Sequence, residues 1–212
     1  SLKYFNLSKT LIDKHDSYLK KYVFSLVINS QVQESINIIK RNRNRSNSDF
    51  FEAKLLLLIE NFKNKKFYQN KKLLNEIKIY RDYDNYYYII YEILNSYNDL
   101  FLYRKLNLKE NPDFGKLSLI NEAFHHCYLN SETTNSKFLN LINSEESEYT
   151  RYLFFYFKNL IKKKDFESAI QISKTINALN NNLIIQQSKQ WIENSDFKKF
   201  NTFFSCESES DI

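Results

Sequence analysis

The residues able to do chemistry are few, and their spacing limits what they could do. His125-His126-Cys127 is the one run with metal-ligand character, and the remaining histidine and cysteine, His15 and Cys206, lie far away in sequence. Adjacent helical residues point about 100° apart, so three in a row cannot converge on one ion, and zinc wants a tetrahedral set. No metal site is expected, and Cys127 reads as a small core residue. Two cysteines give no disulfide framework. Arg41-Asn42-Arg43-Asn44-Arg45 could neutralise phosphates. It also falls at a helix end, where cations complement the macrodipole, and a nucleic-acid stripe would need more basic residues along one face. A solvated helix end is the expectation. Tyr86-Tyr87-Tyr88 and Phe154-Phe155-Tyr156-Phe157 could stack bases or grip a peptide, but consecutive helical residues do not share a face, and such stripes usually pack. Carboxylates are plentiful without any pairing beyond helix-surface spacing. With no nucleophile elbow, phosphate loop or His-Glu zinc helix, neither enzyme activity nor a cofactor is expected.

The elements that would carry these side chains read as helices throughout. Apolar residues recur at helical spacing, as in Leu19, Tyr22, Val23, Leu26 and in Leu153, Tyr156, Phe157, Leu160, Ile161, and no segment sustains period-two alternation. The chain of 212 residues is 42% apolar, with 16 Tyr and 18 Phe but a single Gly (Gly115) and a single Pro (Pro112). That depletion argues against all-β folds and against glycine-dependent phosphate loops. Helices can end on Asn, Ser and Asp instead, and 27 Asn are present. The net charge of +6 is modest, and codon bias of an AT-rich genome could supply much of it. The whole excess lies in residues 1–48, with nine Lys or Arg against three Asp or Glu. No stretch approaches the 18 or so apolar residues of a membrane span. There is no signal peptide and no methionine, so a piece of a longer protein is expected.

The helical segments fall on a grid. Stepping from Phe166 by 33 residues reaches Thr133, Leu100 and Phe67, a step of 35 reaches Val32, and a forward step of 31 reaches Phe197; each follows a short polar break. Two helices per period of 31 to 35 residues is the pattern of a helical-hairpin solenoid, in which stacking completes a core that one hairpin cannot bury alone. First helices are expected near 16–29, 49–64, 84–97, 117–130, 148–163 and 182–193, with second helices starting near 32, 67, 100, 133, 166 and 197. The repeats then run 16–48, 49–83, 84–116, 117–147, 148–181 and 182–212, with 1–13 as the second helix of a preceding repeat. Uncapped apolar ends fit an excised segment of a longer array. The longest loop, 104–116, holds the one conventional turn, Asn-Pro-Asp-Phe-Gly at 111–115.

The stretch 153–176, LFFYFKNLIKKKDFESAIQISKTI, resembles the tetratricopeptide repeat family, in particular divergent bacterial members from AT-rich genomes. Phe166 fills the family's aromatic position and Ala169 its small position. That small position is Ser35, Asn70 and Ser136 in three other segments, and Tyr103 and Phe200 in two. Another helical-hairpin repeat is the alternative. The resemblance implies an all-α, right-handed α-solenoid of about six hairpins, whose first helices line a concave, partner-binding surface. Carried over position by position, that surface comprises Lys20, Phe24 and Ile28, then Leu55, Ile59 and Lys63, then Tyr88, Glu92 and Asn95. It continues with Asn121, His125 and Tyr128, then Arg151, Phe154, Lys158 and Lys162, and ends at Ile185 and Lys189. Aromatics mixed with mostly basic charge would suit an extended peptide bearing acidic residues. The expected function is therefore a scaffold for a protein or peptide partner. The alternatives are a single-stranded RNA-binding helical-repeat protein and a structural segment packing on the rest of its own chain. The location expected by default is cytoplasmic, with the periplasm left open. The sequence indicates no oligomeric state.

Overall fold

With one glycine in the chain, the helices must stop on ordinary side chains, and five of them do so in one recurring way. The computed structural model describes residues 2–8, 10–11, 15–106, 113–143, 151–175 and 182–207. Its helices are α1 (Leu2–Leu7), α2 (Asp16–Ile28), α3 (Val32–Arg41), α4 (Phe51–Lys63), α5 (Phe67–Ile77), α6 (Asn85–Tyr103), α7 (Lys116–Tyr128), α8 (Thr134–Asn143), α9 (Leu153–Lys162), α10 (Phe166–Thr175) and α11 (Leu183–Glu193). Short 3-10 turns occupy Ser46–Ser48, Lys78–Asp82 and Phe197–Thr202. The fold is all-α; no strand occurs among the described residues.

Just past α2, α4, α7, α9 and α11, the residues Ser30, Lys65, Asn130, Lys164 and Ser195 take the left-handed conformation, with φ of 61, 56, 51, 61 and 55°. Each stop carries the same two backbone bonds. After α9, for example, Asp165 N donates to Leu160 O at 2.9 Å and Lys164 N to Ile161 O at 3.0 Å. This is the Schellman arrangement, which satisfies the last helical carbonyls and reverses the chain. Asparagines help: Asn29 and Asn64 donate their side-chain amides to Ser25 O and Glu60 O at 2.7 and 2.8 Å. Helices α3, α5, α10 and the 3-10 turn Phe197–Thr202 begin two residues beyond such a stop, at Val32, Phe67, Phe166 and Phe197.

One expected hairpin is absent. The polar run Ser96-Tyr97-Asn98-Asp99 does not break the chain, because α6 continues through it to Tyr103. Polar side chains alone do not end a helix. Ser96 bonds back to Ile93 O at 2.8 Å within the same helix, and the first left-handed residue is Arg104, φ 48°. The last second helix is likewise a 3-10 turn rather than an α-helix. Of the turn expected at 111–115, Asn111 and Pro112 lie outside the described residues. Asp113 Oδ1 accepts from Gly115 N at 2.7 Å, and Gly115 has φ 60° at the start of α7. Residues 148–150, expected to open α9, also lie outside.

The described residues fall into two compact units, Ser1–Asn98 and Asp99–Ile212. In the first, α2 packs on α3 and α4 on α5, and Leu19, Tyr22, Val23, Leu26, Ile39, Leu58, Leu74 and Ile77 form the buried core. In the second, α7 packs on α8, α9 on α10, and α11 on the 3-10 turn. Its core is aromatic: Phe138 stacks on Tyr156 at 5.2 Å, and Phe157 and Phe200 are fully buried. Ser35, Asn70 and Ala169, assigned to the small position of a helix pair, are fully buried; Ser136 and Tyr103 are exposed. Phe200 is buried at full size. Asn70 has neither amide atom hydrogen-bonded among the described residues.

Candidate functional site

In the first unit, α2 and α4 present the expected residues to solvent. Ile28 is 81% exposed, Ile59 51% and Phe24 39%, and Lys63 is exposed. Leu55 is half-buried against the core. Lys20 is not a spare charge: its ammonium pairs with Glu52 of α4 at 3.1 Å and lies 5.7 Å from the ring centres of Phe24 and Phe50. That contact ties the outer face of α2 to α4. Tyr88, Glu92 and Asn95 on α6 are half-buried. Arg81, which the pattern gave no reason to single out, organises them. Its guanidinium pairs with Glu92 at 2.8 Å and packs 4.9 and 5.0 Å from the rings of Tyr88 and Tyr91.

The arginine run starts at the last residue of α3, and its part Arg43-Asn44-Arg45 lines a cleft of about 400 Å³ between α3, α4 and α5. Arg43, Arg45 and Lys72 share it with Asp49 and Glu76, and Lys54 bridges the two carboxylates at 2.5 and 3.9 Å. Both signs of charge are therefore present. No continuous basic stripe is formed there.

In the second unit four expected surface residues are core residues instead. His125 is 5% exposed, Tyr128 9% and Phe154 1%, and Ile185 is fully buried. The reason is the width of the apolar face. Along α7 the residues Ala123, Phe124, His125, Cys127 and Tyr128 are all buried, so the expected outward stripe falls inside it. Burial, with His126 beside it, pushes His125 down to about 4, a nearby Glu122 only partly opposing; the ring is neutral at pH 7. His126 is half-buried beside the α7 stop, its Nδ1 lying 2.8 Å from Thr133 Oγ1. Burial chiefly, then Lys137, lowers its pKa. Tyr128 meets Phe101 edge-on at 5.1 Å. Asn121 is half-buried, and exposed Arg151 lies over the neighbouring Tyr152 ring at 4.9 Å. Lys189 pairs along its own helix with Glu193 at 4.0 Å.

The α9 stripe meets the chain's own C-terminal segment. The Phe200 ring stacks on Phe154 at 5.7 Å, Lys158 donates to the Phe203 carbonyl, and Lys162 pairs with Glu207. Cys127, expected to be a small core residue, is fully buried and is also disulfide-bonded to Cys206 across 79 residues, with Cα atoms 5.7 Å apart. That separation lies within the range a disulfide can span. Sequence reasoning missed both features for one reason: nothing local in residues 200–207 indicates that they fold back on α9 and α7.

Among the described residues no group of three or more His, Cys, Asp or Glu could hold a metal ion, and no helix is long and apolar enough to cross a membrane. No family model matches the chain, and comparison with curated proteins and with solved structures finds no significant match.

Proposed function

We propose that the chain is a helical-repeat scaffold of the tetratricopeptide kind, a solenoid of stacked hairpins that binds a partner protein along the outer face of its first helices. The observation that carries this reading is the exposure of Phe24, Ile28 and Ile59 on α2 and α4. Both helices bury their other face in the core, leaving Ile28 and Ile59 turned to solvent, while the partly exposed Phe24 ring lies 5.7 Å from the Lys20 ammonium. Exposed apolar groups that cluster beside polar rims mark interaction sites. Lys63 and the Lys20–Glu52 pair supply that rim. The recurring Schellman stops and the pairing of neighbouring helices support the hairpin architecture. No catalytic role is assigned.

The test is affinity capture with the full chain and with the double variant Ile28→Asp, Ile59→Asp. Exposed substitutions away from special features change stability by roughly 0.5 kcal/mol or less, so folding should be preserved. Partners held by wild type should be lost. Undiminished capture by the variant would remove this face from the reading.

A further inference from the structure

The α9 face differs from those of α2 and α4 in being covered from within the chain. Phe154, Lys158 and Lys162 lie four residues apart and so form one stripe, about 12 Å long. Each is met by the segment that follows the last 3-10 turn. Phe203 meets Phe154 edge-on at 5.8 Å and lies tilted against Trp191 at 5.3 Å. Its carbonyl accepts from the Lys158 ammonium, and the Glu207 carboxylate pairs with Lys162. Phe203 itself is extended, with φ −116° and ψ 178°. An aromatic anchor, a main-chain carbonyl held by a cation and an ion-paired carboxylate are how a groove reads an extended acidic peptide. Between the anchor and the carboxylate stands Cys206, bonded to Cys127 in α7. The occupant is thus covalently latched. Phe200 lies within the last 3-10 turn and belongs to the unit; Cys206 is buried in the same core, so release draws it out of that core.

We propose that Phe203–Glu207 is a built-in occupant of a peptide site on α9, and that reduction of the Cys127–Cys206 disulfide releases it. The freed site then accepts an acidic peptide with an aromatic residue four positions before a carboxylate. The redox step needs a dithiol as reductant. The dithiol closes to its own disulfide and passes two electrons and two protons to the two sulfurs, leaving two thiols. The trans-binding half rests on the interaction reading above; the latch rests on geometry alone.

Trp191 is the sole tryptophan of the chain, and Phe203 packs on it. Its emission therefore reports release directly. The experiment uses the full chain, oxidised or treated with dithiothreitol, and a fluorescein-labelled peptide of residues 201–210 carrying Cys206→Ser. Reduction should red-shift Trp191 emission while helical ellipticity at 222 nm persists. Peptide affinity should rise about tenfold or more, since the latched segment holds the site shut, whereas the reduced segment, still joined through Thr202, competes only at millimolar effective concentration. The full chain with Cys206→Ser should bind without reductant, and adding Lys162→Glu to it should cancel most of the gain. Unchanged Trp191 emission overturns the latch, whether or not peptide binds. A red-shift without peptide binding overturns the site on α9 and leaves the latch standing. Loss of ellipticity on reduction makes the disulfide a structural staple and overturns both halves.

Discussion

Replacing Lys164 by glycine should stabilise the second unit, although it removes a side chain and adds no contact. Lys164 is exposed and sits at φ 61° in the stop after α9. A left-handed backbone places Cβ against the following carbonyl, at about 1–2 kcal/mol for an ordinary residue. Glycine lifts that strain but gives the unfolded chain more freedom, which takes back roughly 0.5–1 kcal/mol. The net gain is about 0.5–1 kcal/mol, or about 2–4 °C in the melting temperature of a unit this size. Lys164→Val is the control of opposite sign, because a β-branched residue fits the left-handed region worst; it should cost about 1 kcal/mol or more. Asn130→Gly, at φ 51°, should change little, because asparagine tolerates this conformation. The assay is thermal unfolding followed at 222 nm, with the two Schellman bonds preserved in all variants. A lower melting temperature for Lys164→Gly, or an unaffected Lys164→Val, would show that the stop is not strained and refute the reasoning.

Three further outcomes are expected. The second unit should lose stability as pH falls from about 6.5 towards 4, because the fold lowers His125 to about 4 while the unfolded ring takes up its proton near the ordinary value. The pH-dependent difference amounts to about 3 kcal/mol, is fully present above the unfolded value, and should be largely absent from melts of His125→Leu across that window. Asn70→Ala in the first unit should raise stability by about 1 kcal/mol, because it removes a fully buried amide with no hydrogen bond among the described residues; a loss above about 2 kcal/mol in urea unfolding would show that the amide has a partner. Phe154→Ala should cost about 3–5 kcal/mol, as expected of a ring 1% exposed and stacked on Phe200; a fully stable variant would return Phe154 to the surface.

How much was legible in the sequence depended on what made each helix stop. The starts at Val32, Phe67, Phe166 and Phe197 could be read because a polar break and an apolar onset coincide there. The run at 96–99 looked the same in residue types, yet no residue in it turns left-handed, so α6 passes straight through. Lysine and serine carry the turn at 65, 164, 30 and 195, and neither announces it as glycine would. Ile28, Ile59 and Phe24 were readable as outward residues because α2 and α4 each have a narrow apolar face. On α7 and α9 that face is wider, and His125, Tyr128 and Phe154 fall within it. The Cys127–Cys206 bond and the folding back of Phe203 and Glu207 join parts far apart in sequence, so helical periodicity carries no information about them. Arg81 was invisible for a related reason, its partners Tyr88 and Glu92 lying on the next element.

The disulfide also changes how the second unit would respond to a mechanical load. Cys127 closes α7 and Cys206 lies beyond the last 3-10 turn, so the bond brackets α8, α9, α10 and α11. A pull transmitted along the backbone reaches Cys127 and passes through the sulfurs to Cys206, leaving the 79-residue interval between them unstretched. Fully extended, that interval would contribute roughly 270 Å of contour length. In the oxidised protein this length is withheld however far the flanking chain is drawn out, and a single reduction event puts it under tension.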